Sequence, residues 1–315
     1  MGTQPSGTIA AIAAAAIAAA CMAGCGDPRV EPGQSPPDRL KVVATTGMVA
    51  DLVAEVGGSR VEVTGLMGPG VDPHYYKATR GDLEHLTAAR VIFYNGLFLE
   101  GKLDEIFRKM ARTVTVVAVS SAVPEEQLRK PAGFDGNYDP HIWFDVDMWR
   151  STIGVVVAAL SKADPEGASL FEANGARYGS ELAGLDAWVR ERLGQIPEER
   201  RVLVTAHDAF GYFGRAYGID VVGLQGISTV AEYGVADVRH LVDLIVARRV
   251  PAIFVESSVP ERSINAVREG CLARGHEVVI GGTLYSDAMG GSGSGADTYA
   301  GMVRSNVDTI VEALE

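Results

Sequence analysis

Two hydrophobic periods take turns along this chain. Short apolar runs rich in β-branched residues, Lys41–Thr46, Val61–Met67, Val91–Asn95 and Val114–Val119, have the length of buried strands. Between them, Ala50–Val56, Arg80–Ala89 and Leu103–Ala111 read as helices. The second half repeats the theme, with strands at Val202–Ala206, Asp220–Leu224, Ala252–Val255 and Glu277–Ile280. Its helices fall at Ala209–Ala216, Val235–Arg248, Ser263–Arg274 and Thr298–Leu314. Strand–helix alternation of this kind predicts parallel strands joined by helical crossovers. The fold class is therefore α/β: two lobes of similar size, each with a mainly parallel sheet flanked by helices.

One long helical segment runs between the lobes. Tyr178, Leu182, Leu185, Val189 and Leu193 recur at spacings of four, three, four and four, which makes one apolar stripe. Asp164 is suited to cap its start and Pro165 to its first position, while Gly194 and Pro197 supply the stop. A helix of ~29 residues spans ~44 Å, longer than a small domain, and would act as a stiff spine along both lobes. Glycines at 175, 179 and 184 weaken the helical signal in its N-terminal half.

The first residues follow neither period. Ile9–Ala23 is an unbroken apolar run, mostly alanine. As a helix it would reach only ~22 Å, short of the ~30 Å core of a bilayer, so it reads as a secretion signal. Met22-Ala23-Gly24-Cys25 resembles a bacterial lipobox, whose cysteine is lipidated after cleavage; Ala18-Ala19-Ala20-Cys21 is a weaker second candidate. The preceding Met1–Thr8 carries no Lys or Arg. Residues 26–38, rich in Pro, Gly and charge, suit a tether. The expected organisation is a leader at 1–25, the tether at 26–38, a first lobe at 39–163, the linking helix at 164–195 and a second lobe at 196–315.

A net charge of −12 argues against nucleic acid as a partner. Three cysteines are too few for a disulfide framework. With Cys21 and Cys25 in the leader, Cys271 stands alone in a helical stretch, where it reads as a small buried side chain.

The chemistry lies in the loops. Asp-Pro-His occurs twice, at Asp72-Pro73-His74 and Asp139-Pro140-His141, in a chain with only six histidines. Proline fixes its own φ and pushes the residue before it into an extended conformation, so each imidazole follows a rigid pair. His207 directly follows an expected strand, and Asp287 lies just past another. Loops after the carboxyl ends of parallel strands are where such folds bind ligands. His74, His141, His207 and Asp287, separated by 67, 66 and 80 residues, come from four loops, two in each lobe. Three imidazoles and a carboxylate suit Zn²⁺ or Mn²⁺ and also Fe²⁺, and the lack of sulfur ligands disfavours Cu(I).

With these residues in view, the chain resembles the metal-ion solute-binding lipoproteins of bacterial ABC transporters for zinc, manganese and iron, the cluster A-I type. The resemblance runs from Lys41 to Glu315. It rests on Gly70-Val71-Asp72-Pro73-His74, Asp139-Pro140-His141-Ile142-Trp143, Thr205-Ala206-His207-Asp208 and Ser286-Asp287-Ala288-Met289, with support from Ile227-Ser228-Thr229 and Val255-Glu256-Ser257-Ser258. It implies a metal at the interface of two α/β lobes, ligands at His74, His141, His207 and Asp287, delivery to a membrane permease, a monomer, and no catalysis. A glutamate as third ligand goes with manganese in this family; here that position is His207. Zinc-dedicated members often carry a His- and Asp-rich loop, whereas Ser120–Tyr138 contains no histidine. The resemblance is thus to the mixed zinc/manganese members.

Other readings have less behind them. An exported zinc hydrolase would keep an open coordination position and a general base, and no His-Glu-x-x-His motif is present. A surface adhesin would need an exposed apolar patch that the sequence does not reveal. His85, His240 and His276 read as surface residues among charges. Asp72 and Asp139 either accept imidazole N–H groups or only begin turns before proline. Glu256 either stabilises the site or faces solvent from a strand end, and Tyr75 and Tyr76 are expected to cover the site or fill the lobe interface. Gly290–Gly295 lacks the lysine and spacing of a phosphate loop and reads as a flexible connection.

Overall fold

The computed structural model describes residues 1–2, 39–131, 134, 136–230 and 233–315. Apart from Met1 and Gly2, the leader and the tether, with Cys21 and Cys25, lie outside the described residues. Arg39–Glu315 is one compact unit.

The first half runs β1 (Leu40–Ala44), α1 (Gly47–Gly57), β2 (Val61–Gly65), α2 (Arg80–Ala88), β3 (Val91–Tyr94), α3 (Asp104–Met110) and β4 (Thr115–Ala118). Its four strands form one parallel sheet in the order β2-β1-β3-β4. Three helices follow: α4 (Val146–Ser151), α5 (Ile153–Ala163) and α6 (Ala168–Leu193). The second half runs β5 (Val202–His207), α7 (Gly211–Tyr217), β6 (Asp220–Gln225), α8 (Val235–Arg248), β7 (Ala252–Glu256), α9 (Arg262–Leu272), β8 (Val279–Leu284) and α10 (Tyr299–Leu314). Here β5 pairs with β6 and β7 with β8, both parallel, and β5 lies against β7.

Alternation along the strands separates three layers of core. In β1 and β3, Val42, Ala44, Val91 and Phe93 face a large central core, while Val43 and Ile92 face an outer one with Met67, Leu86 and Phe107. In β5 and β7, Leu203, Ala252 and Phe254 join the central core. Val202, Val204, Ile253 and Val255 face a second outer layer that includes Cys271, which is buried as the sequence suggests. Successive strand residues point to opposite faces, so each sheet is covered on both sides, as parallel sheets must be.

The central core is organised by α6. Its buried residues are Phe171, Gly175, Tyr178, Leu182, Leu185, Val189 and Leu193, so the predicted stripe is present and extends about two further turns towards the N-terminus. At 26 residues it spans ~39 Å, packing on α1, α4 and α5 from the first half and on α7 and α10 from the second. Gly175 is an adaptation to that packing: a Cβ there would lie 2.8 Å from Val157 on α5.

Two details depart from expectation. Asp164 does not cap the helix; Pro165–Gly167 forms a 3₁₀ turn first, and the Asp164 carboxylate accepts two hydrogen bonds from Arg60 at 2.6 and 2.8 Å. Helices α4 and α5 were not visible as periodic patterns. Val155-Val156-Val157 is a β-branched run, which depresses helix propensity, and burial of α5 against α1 and α6 outweighs it.

Candidate metal centre

All four candidate residues sit at or beyond the carboxyl ends of strands. His74 lies in the loop after β2, His141 in the segment after β4, His207 is the last residue of β5, and Asp287 follows β8. The two Asp-Pro-His segments fold alike. In each, the aspartate Oδ1 accepts the backbone N–H of the histidine, at 2.8 Å for Asp72–His74 and 3.0 Å for Asp139–His141. This is the turn that aspartate favours, with proline setting the intervening φ.

The four side chains converge. One ligand-type atom from each lies within 4.8 Å of all the others. His141 Nε2 is 3.3 Å from Asp287 Oδ1, His207 Nε2 is 3.3 Å from Asp287 Oδ2, and His74 Nε2 is 3.8 Å from the same oxygen. His141 and His207 are fully buried; Asp287 and His74 are 1% and 5% exposed. His85 and His240 stay on the surface, and His276 contacts the Val250 carbonyl, far from this chemistry in role.

Carboxylates set the tautomers. Asp139 Oδ1 lies 2.8 Å from His141 Nδ1, and Glu256 Oε2 lies 2.5 Å from His207 Nδ1. A carboxylate only accepts, so both rings donate from Nδ1 and turn Nε2 inward, where it can take either a proton or a metal ion. Both aspartate readings thus hold for Asp139, which starts the turn and holds the ring. Asp72 starts its turn, while its Oδ2 accepts from the Thr229 hydroxyl at 2.6 Å. Glu256 does not face solvent: it is buried, and its Oε1 also accepts the His207 backbone N–H at 2.8 Å.

Further support escaped sequence reasoning. Arg129 donates to Asp139 Oδ2 at 2.5 Å, and the Tyr212 hydroxyl on α7 donates to the Asp139 carbonyl at 2.9 Å. Asn95, at the end of β3, donates to the Pro140 carbonyl at 2.9 Å. The Trp143 indole donates to the Ser286 carbonyl at 3.1 Å, linking the His141 segment to the Asp287 segment. Tyr212 acts across 73 residues of chain, while Arg129 lies only ten residues before Asp139 but carries no recognisable pattern with it. Tyr75 reaches the other half, donating to the Thr229 carbonyl at 3.1 Å, whereas Tyr76 stays at home on Asp82 and the Leu66 carbonyl.

The inward atoms lack partners. Among the described residues, the buried side-chain atoms without a hydrogen bond include His74 Nε2, His141 Nε2, His207 Nε2 and both oxygens of Asp287. Buried polar atoms are nearly always paired, because leaving one unpaired costs about 1–3 kcal/mol. Five orphans aimed at one point is the arrangement a cation would satisfy. Electrostatics agrees. Burial alone would lower the His141 pKa, but Asp139 and Asp287 outweigh it and hold it up at about 9. His207 is likewise raised against its burial by Glu256 and Asp287. Burial would raise the Asp287 pKa, yet His207 and His141 hold it well below the carboxylate range. His74 is pushed down to about 3 by burial, Asp287 opposing and the other two imidazoles adding to the drop. The pocket is built for positive charge, supplied by protons when nothing else supplies it.

Two α/β lobes bridged by one long helix, with a buried three-histidine, one-aspartate cluster, define a class: the substrate-binding components of metal ABC transporters. Residues 42–313 match the family described as zinc-uptake complex component A, periplasmic (ZnuA), and the chain belongs to it. It is 48% identical over 304 residues to the manganese-binding lipoprotein MntA of Bacillus subtilis (strain 168), covering 96% of this chain and 98% of that protein. It is 49% identical over 273 residues to the zinc-binding protein TroA of Treponema pallidum (strain Nichols), covering 87% and 88%. The solved structure of the periplasmic zinc-binding protein TroA superposes with a TM-score of 0.85, covering 88% of this chain and 99% of that one. Fe(III)-bound YtgA from Chlamydia trachomatis, at 28% identity, has a TM-score of 0.79 over 87% of this chain and 97% of that one. Among the described residues no helix is long and apolar enough to cross a membrane.

Proposed function

We propose that this chain captures one divalent transition-metal ion, Zn²⁺ or Mn²⁺ with Fe²⁺ as a further candidate, and hands it to the permease of an ABC transporter. The ligands in this reading are Nε2 of His74, His141 and His207 and the carboxylate of Asp287. The observation that carries it is the set of five buried, unpaired donor atoms facing one point. A tetrahedral ion with bonds of ~2.1 Å needs donors about 3.4 Å apart. The His141 and His207 separations from Asp287 are already 3.3 Å, and His74 stands farther out at 3.8 Å. Because both Asp287 oxygens are free, the carboxylate can bind through one or both, which accommodates four- and five-coordinate ions.

The ion is cargo, and no reaction is catalysed. Affinity at nitrogen and oxygen donors rises from Mn²⁺ through Fe²⁺ towards Zn²⁺, so supply and geometry, not affinity alone, decide what is carried. Around this site we place a first lobe at 39–163, a linking helix at 164–195 and a second lobe at 196–315. A leader at 1–25 and a tether at 26–38 would hold the monomer outside the cytoplasm by a lipid on Cys25 or Cys21, a reading that the lipoprotein names of the relatives support.

The test is stoichiometric. Full-length protein stripped with chelator is titrated calorimetrically with Zn²⁺ and Mn²⁺ and then melted. One ion per chain is expected, with stabilisation of about 2.7 kcal/mol at one hundred times the dissociation constant. No uptake and no thermal shift with either ion would overturn the proposal.

A further inference from the structure

His74 differs from the other three members of the cluster. It is the most exposed of them, stands farthest from Asp287, and alone among them lines a cavity of about 180 Å³. Phe98, Leu99, Lys102, Ser228 and Val230 share that wall, so residues of both halves meet over His74. His141 and His207 are each held by a carboxylate against the ring. The matching carboxylate of the first Asp-Pro-His segment, Asp72, is turned elsewhere.

Its two oxygens divide their work. Oδ1 accepts the His74 backbone N–H at 2.8 Å, and Oδ2 accepts the Thr229 hydroxyl at 2.6 Å across the lobe boundary. The neighbouring Tyr75 donates to the Thr229 carbonyl at 3.1 Å. Thr229 is 6% exposed and Asp72 half-buried, so the bond between them is partly shielded from water, which strengthens a hydrogen bond to a charged group. The result is a chain of contacts, Thr229 to Asp72 to His74, with Tyr75 as a second tie. One residue of the second half fixes the backbone that carries a histidine of the first.

Resting on the metal-capture reading above, we infer that Thr229 is a positioning residue: it latches the His74 loop across the lobe boundary and thereby sets how long the ion is retained. Release begins when Thr229 lets go of Asp72, His74 withdraws, and the ion is left with three ligands beside an open cavity. The other three ligands, braced by Glu256, Asp139 and the Trp143–Ser286 bond, stay in place.

The experiment measures release of Zn²⁺ from loaded full-length protein into excess EDTA by stopped flow, for the parent, Thr229→Val, Thr229→Ser and Tyr75→Phe. Loss of a partly buried hydrogen bond to a charged group predicts release about ten- to a hundredfold faster for T229V. T229S keeps the hydroxyl and should restore release to within about threefold of the parent, which a purely structural role for the methyl group would not do. Y75F should accelerate release by a few-fold, and being at an exposed residue it serves alone should T229V not fold. Release from T229V at the parent rate, or acceleration shared equally by T229S, overturns the latch. Failure of the parent to take up Zn²⁺ at all would instead overturn the metal-capture reading, so the two outcomes are separable.

Discussion

Glu256→Gln tests the site through a residue that never touches the ion. In the parent, Glu256 accepts from both His207 Nδ1 at 2.5 Å and the His207 backbone N–H at 2.8 Å. Glutamine has one acceptor oxygen and one NH₂ group, so it can satisfy only one of two donors. If the oxygen keeps the backbone, the NH₂ faces Nδ1, and the ring relieves the clash by moving its proton to Nε2, the atom that must bind metal. If the oxygen keeps Nδ1, a buried backbone N–H faces another donor at a cost of about 1–3 kcal/mol. Either way Zn²⁺ affinity should fall about 10–100-fold, which is about 1.4–2.7 kcal/mol. The loss should depend on pH. Glu256 helps raise the His207 pKa, so its removal also eases proton competition. The affinity deficit is therefore smaller near pH 6 than near pH 9. Chelator-competition titrations at both values, with a melt of the metal-free protein, read this out. Unchanged affinity at pH 9 in a folded variant would refute the role given to Glu256.

Three further outcomes are expected. Asp287→Asn removes the charge that faces all three imidazoles and should lower affinity by orders of magnitude; a dissociation constant within tenfold of the parent would exclude Asp287 from the site. Because metal-free His141 holds its proton up to about 9, metal binding displaces protons throughout the neutral range. Affinity should fall about tenfold per pH unit per displaced proton on acidifying from pH 9, starting well above the ordinary histidine pKa, and buffer-dependent calorimetry counts those protons. Asp51, at 3.1 Å from the Tyr178 hydroxyl, is raised from 3.8 to about 6 chiefly by burial. The folded state therefore binds the proton more tightly. Stability from this group is full below pH 4 and is lost as pH rises through 6, by at most about 3 kcal/mol. Urea unfolding of metal-free Asp51→Asn should lack this slope, and a slope equal to the parent's would contradict it.

The strands were legible because burial on both faces demands short, continuous apolar runs, and the linking helix because a one-sided stripe survives its three glycines. Where local and tertiary demands conflict, the pattern misleads. β8 was expected at Glu277–Ile280 and lies at Val279–Leu284. Gly281 and Gly282 interrupt the apolar run, yet they admit α10: Cβ atoms there would approach Ala313 and Thr309 within 2.7 and 2.5 Å. His74 and His141 stood out because histidine is rare here and their Asp-Pro-His context is repeated; His207 and Asp287 stood out by their place after strands and by the family resemblance. What could not be read was the difference between the two copies. Asp139 turns to its own histidine ring and Asp72 to Thr229, a choice made for Asp72 by a partner 157 residues away and for Asp139 by Arg129 on its other oxygen. The Asp-Pro-His tripeptides themselves carry no record of either partner.

The central claim is that three imidazoles and one carboxylate surround the ion. X-ray absorption at the zinc edge of the Zn²⁺-loaded full-length protein reads that shell directly. The account predicts three imidazole nitrogens and one or two oxygens at about 2.0–2.2 Å, with one imidazole lost in each of His74→Ala, His141→Ala and His207→Ala. A shell containing sulfur, or one in which those substitutions leave the imidazole count unchanged, would contradict it.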